Sequence, residues 1–176
     1  DKNKTYAERA IQLIKNPASL TQQEMDWLVN ESDWISEEAL PFNKILLGAL
    51  KSRPETANEQ ITMFTGLSFG EQPEKIREIV DPHLLAFADR ADSDKLYTYF
   101  ADNPTSWSRM TEYLSKHPEL IKKFRKSKFN YENSLDYGKL WPHISDQDKE
   151  EFSEEMPFER LIVRVRPEIV ALKPPR

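Results

Sequence analysis

Apolar positions recur at helical spacing through the first fifty residues. Ala7, Ala10, Ile11 and Ile14 fall on one stripe. Thr5 and Glu8 ahead of that stripe form the pattern of a capping box. Asn16-Pro17 stops it, because a residue before proline avoids helical geometry. A second box, Thr21 to Glu24, leads into Met25, Trp27 and Leu28, with Leu20 and Met25 spaced as a hydrophobic staple. Trp34 sits in a polar loop or opens the next element. A short helix is expected from Ser36 and a longer one over Phe42–Leu50, with Ile45, Leu46, Ala49 and Leu50 inward. Residues 1–50 therefore read as a helical layer.

The pattern then changes. Ile61-Thr62-Met63-Phe64, stopped by Gly66, has the β-branched and aromatic content of a strand. His83–Ala88 reads as a second strand, with a helix also allowed by periodicity. Leu161–Val165 alternates as a half-buried third strand, ended by Pro167. Between them, Pro73–Val80 predicts one or two helical turns, and Asp92 or Ser93 caps a helix over Asp94–Ala101. Asn103-Pro104 opens a helix with Trp107, Met110 and Leu114 inward, and Pro118 starts a shorter one carrying Ile121 and Phe124. The recurring Asn-Pro and Pro-Glu pairs are irregularly spaced, so they read as reused helix starts rather than a solenoid repeat. The expected fold is α+β: an N-terminal helical layer on a small sheet, with an all-α interaction domain as the alternative. It is expected as one domain over 1–176, mixed from 59 to 172, with a frayed tail at 173–176.

Composition narrows the function classes. The chain has 176 residues, enough for a sizeable core without staples. It has no cysteine, which excludes disulfides and thiolate metal sites. A net charge of −5 and a pI near 5.4 weigh against general nucleic-acid binding. No apolar run approaches the roughly 20 residues of a membrane span. The chain opens at Asp1 rather than Met, as a processed or trimmed form would, and so carries no information on targeting. A soluble protein, cytoplasmic or delivered into a host cell, is expected.

Little in the sequence carries chemistry. His83, His117 and His143 are far apart, and Asp89, Asp92 and Asp94 read as a solvated helix start. Lys122, Lys123, Arg125, Lys126 and Lys128 place five basic residues in seven and form a possible interaction surface. Asp146–Glu159 places seven acids against one lysine, and the basic run reads as a helix face turned toward it.

Residues 40–70 resemble mono-ADP-ribosyltransferases of the small phage-encoded kind. Phe42–Leu50 matches that family's helix, Ser52–Asn58 its loop, and Met63-Phe64-Thr65-Gly66 the end of its aromatic–Arg–Gly strand. Phe87–Ala101 has the layout of its second signature, and Glu150–Glu155 before Leu161–Val165 that of its third. The family's chemistry is missing. Thr65 stands at the NAD-gripping arginine, Asp89-Arg90-Ala91 at Ser-Thr-Ser, and Glu-x-Glu is absent, leaving Glu154 and Glu155 as weak catalytic candidates. A threonine cannot give the charge-assisted fork that holds a cofactor phosphate. The resemblance thus implies a pseudoenzyme without cofactor that binds another protein, linked to a phage or toxin. The alternatives are a divergent active transferase using NAD, and an all-helical interaction protein.

Overall fold

A computed structural model of the chain describes residues 2–67, 73–125 and 135–155. The described residues hold ten α-helices and short 3-10 turns, and no strand. The fold is all-α, which overturns the α+β expectation and its sheet. The chain divides into two compact units, Asp1–Ala101 and Asp102–Arg176.

The first unit contains α1 (Lys2–Ile14), α2 (Gln22–Glu31), α3 (Leu40–Lys51), α4 (Ala57–Thr65), α5 (Pro73–Leu85) and α6 (Ser93–Phe100). The helix starts follow their local chemistry. Thr21 caps α2 with both halves of a capping box in place, at 3.1 and 3.0 Å. Asp92 caps α6 by accepting from the Asp94 amide at 2.9 Å. Pro17 and Pro54 open 3-10 turns and Pro73 opens α5, as helix-start residues do. Thr5 lies within α1, which begins earlier, at Lys2.

The segment Ile61–Phe64, expected as a strand, lies inside α4. Its inward face is Ala57, Gln60, Ile61 and Phe64, at i, i+3, i+4 and i+7, all buried. Gln60 belongs to that stripe although it is polar, so only the four-residue apolar run at its end stood out. The second expected strand, His83–Ala88, is the end of α5 and the turns beyond it. Ile76, Val80, His83 and Leu84 continue one helical face across Pro82. Pro82 has no amide to donate to the preceding turn, and α5 continues only to Leu85 beyond it. The backbone then tightens, with Phe87 N bonded to Leu84 O at 3.0 Å and Ala88 N to Leu85 O at 2.9 Å. Leu161–Val165 lies outside the described residues. Of the two described segments expected as strands, Ile61–Phe64 is helical, and His83–Ala88 is helical to Leu85 and turn beyond it. α4 lies at the centre of this unit, packed on α2, α5 and α6.

The second unit contains α7 (Pro104–Lys116), α8 (Ile121–Arg125), α9 (Tyr137–Leu140) and α10 (Asp146–Glu155). Asn103 caps α7, with its side chain accepting from the Ser106 amide at 2.9 Å. Trp107, Met110 and Leu114 form the buried stripe of α7. Phe152 of α10 is buried and meets the rings of Tyr137 and Trp141 edge-on, with centroids 5.8 and 6.5 Å away.

Candidate functional site

An apolar-walled cleft of the first unit begins with a turn. The Asp33 carboxylate accepts from the amides of Ile35 and Ser36, both at 3.0 Å. This Asx-type turn directs Trp34 inward. Its indole donates to Val29 O at 2.8 Å and meets the Phe64 ring edge-on at 5.4 Å. Asn43 of α3, only 1% exposed, fastens the turn: it donates to Asp33 O and accepts from the Ser32 hydroxyl, each at 2.6 Å. With Trp34 held inside, its neighbour Ile35 is left 46% exposed.

This turn closes one end of a cleft of about 490 Å³ between α3 and α5. Leu40 and Leu47 of α3, Ile79 of α5 and Trp34 give it apolar walls, and Ile35 stands at its lip. A volume of that size is within the range of built ligand and side-chain sites. Charged groups occupy the rim: Lys44, Lys75, Glu37 and Glu78. Lys75 and Glu37 pair across it at 2.9 Å, and the lysine's hydrogen bond holds the Glu37 carboxyl below the usual carboxylate range. Chemically this is a surface that desolvates an apolar side chain and leaves its flanks to charged contacts.

Two buried titratable groups of the same unit, His83 and Asp81, hold its helices together. His83 Nε2 lies 2.8 Å from Gln60 Oε1, so in the neutral ring it donates. Gln60 in turn donates to Leu50 O at 2.8 Å and to the Thr56 hydroxyl at 3.0 Å. Burial, and then the charge of Lys51, push the His83 imidazole down to about 4. Asp81 is fully buried and accepts from the Tyr99 hydroxyl at 2.6 Å, while the Arg77 guanidinium lies 4.7 Å over the Tyr99 ring. These contacts tie α4, α5 and α6 together.

The residues singled out from sequence fall elsewhere. Lys122, Lys123 and Arg125 are on α8, in the second unit; Lys126 and Lys128 lie outside the described residues. Lys122 pairs with Glu151 of α10 at 2.9 Å and approaches Asp148 at 3.8 Å. Its hydrogen bond to Glu151 raises its pKa. The Arg125 side chain is 5% exposed, 3.7 Å from Glu151, with its guanidinium 4.3 Å over the Phe152 ring. The described part of the basic run is thus joined to the acidic helix. Glu154 and Glu155 occupy the last turn of α10. Thr65, at the position of the resemblance's arginine, ends α4 and donates back to Ile61 O at 2.7 Å. Among the described residues, no group of three or more His, Asp or Glu is arranged to hold a metal ion, and no helix is long and apolar enough to cross a membrane.

The cleft residues went unnoticed in the sequence. Trp34 carried a signal, as a tryptophan in a polar stretch, but Asn43 and Ile79 belong to ordinary helical patterns. Compared with known proteins, the chain matches no protein-family model, no curated protein and no solved structure.

Proposed function

We propose that the protein is an all-helical protein-binding module whose partner seats an apolar side chain in the α3–α5 cleft. The observation that carries this reading is the pairing of an apolar-walled cleft with a half-exposed isoleucine at its lip. Aliphatic side chains held in that way lose little by being covered and gain about 25 cal/mol for each Å² removed from water. The rim supports an amphipathic partner. Lys44 on one wall and Glu78 on the other offer one charge of each sign beside the paired Lys75 and Glu37. A partner segment with one apolar anchor flanked by an acid and a base satisfies both walls.

The test compares two exposed isoleucines. Ile35 lines the cleft, whereas Ile45, 60% exposed on α3, does not. Proteins retained by the immobilised chain are compared among wild type, Ile35→Asp and Ile45→Asp. A partner lost with Ile35→Asp and kept with Ile45→Asp supports the cleft. A partner kept by both variants, or lost equally with both, contradicts it.

A further inference from the structure

A second groove, of about 550 Å³, runs between α2 and α4 and differs in character from the cleft. One wall is Gln22, Asp26 and Asn30, at i, i+4 and i+8 on α2. The other is Asn58, Thr62 and Gly66, with the same spacing along α4 and its C-cap. Met63, 9% exposed, also lines the groove. We propose that this groove binds a partner segment in extended conformation, chiefly through its backbone.

Three observations lead there. First, the rows have the right period. Residues four apart on a helix are separated by about 6 Å along its axis. An extended chain presents the same backbone edge every two residues, about 6.6 Å apart. Over two steps the mismatch is about 1 Å, which flexible carboxamides can absorb. Second, the groups have the right chemistry. A carboxamide both donates and accepts, as a peptide edge requires. Asn58 Oδ1 already accepts from the Asp92 amide at 2.8 Å, which orients its remaining donors. Asn30 is exposed, and Gln22 donates to Asp26 at 3.1 Å, an exposed bond that a ligand can replace. Third, the groove is open at Gly66. Among the described residues, a Cβ built there meets Met63 O and Thr62 O, each at 3.7 Å, and its φ is −78°, so a side chain fits the backbone and fills ligand space instead.

Charge selects among extended segments. Asp26 and Glu59 line the groove against Lys95, whose ammonium is 3.4 Å from the Thr62 hydroxyl. One negative charge is in excess, so the segment carries a lysine or arginine. This inference shares with the previous reading only that a protein is bound, and its surface is a different one.

The probe is a phage-displayed library of random twelve-residue peptides, selected on the intact chain. An enriched peptide is then synthesised and its binding measured by fluorescence polarisation. Asn30→Ala and Gly66→Leu are each expected to weaken it about ten-fold, the loss expected for one or two hydrogen bonds. Methylating every second backbone amide of the peptide should weaken it at least as much. Ile35→Asp should leave it unchanged. Asn30 is exposed, so its variant remains informative if Gly66→Leu perturbs folding. Failure to enrich any peptide overturns the proposal. So does an enriched peptide indifferent to both groove variants or to backbone methylation. A peptide lost with Ile35→Asp but not with Asn30→Ala sinks this inference while supporting the cleft.

Discussion

Acidification should loosen the contact between α4 and α5, and the cause is one imidazole. His83 is buried and its pKa is depressed from 6.5 to about 4, first by burial and then by the Lys51 charge. The folded state therefore holds the ring neutral. The unfolded chain, with an ordinary imidazole, takes up a proton from about pH 6.5 downward. Between pH 6.5 and 4 the unfolded state binds more protons, so stability falls as pH falls. Above pH 6.5 this contribution is fully present; near pH 4 and below it is exhausted. Depression from 6.5 to about 4 corresponds to roughly 3 kcal/mol. That is a large share of the 5–15 kcal/mol typical of a domain. Among the described residues the ring meets Gln60 and the rings of Phe64 and Phe87, and the charge acting on it is that of Lys51. Two assays read the effect. A proton NMR titration of the three histidines should give one midpoint near 4. Urea unfolding from pH 7 to pH 4 should show wild type losing stability that His83→Gln, which does not titrate, keeps. A His83 midpoint near 6.5, or parallel losses in both proteins, would refute the reasoning.

Three further outcomes follow from local geometry. Gly48 lies exposed within α3, with open space where a Cβ would stand, so Gly48→Ala should raise stability by about 1 kcal/mol, seen as a higher thermal midpoint. Ala101 ends the first unit at φ 44°, a backbone region favouring glycine, and Ala101→Gly should stabilise by about 1 kcal/mol in the same assay. Phe152→Ala leaves Tyr137, Trp141 and Arg125 facing a void, and should destabilise the second unit by about 3–5 kcal/mol in urea unfolding.

The helix starts were legible in the sequence because they are local chemistry. Thr21 with Glu24, Asp92, and Asn103 before Pro104 each act within three residues of themselves, and each caps as its spacing implies. The expected strands were misread because tertiary contacts decided them. Gln60 points inward to join Leu50 O, Thr56 and His83, so the buried face of α4 contains a polar residue that hid its period. The helical turns were expected to stop at Val80, whereas α5 carries its apolar face through Pro82 to Leu85. The cleft was illegible for a further reason. Ile35 and Ile79 lie about forty residues apart in sequence, and only the Asn43 clamp and the packing of α3 and α5 bring them to one opening. The charge runs were legible as a basic helix face turned toward the acidic segment, as the Lys122–Glu151 pair shows, while the particular partners depend on where α10 lands.

The claim most exposed to test is that the α3–α5 cleft receives a partner. A photo-crosslinking phenylalanine placed at residue 35, and separately at residue 45, reads it directly when the linked peptides are sequenced. The account predicts one defined partner peptide, with an apolar residue at the linkage, from position 35 and none from position 45. Equal labelling from both positions, or none from residue 35 with a bound partner present, would contradict it.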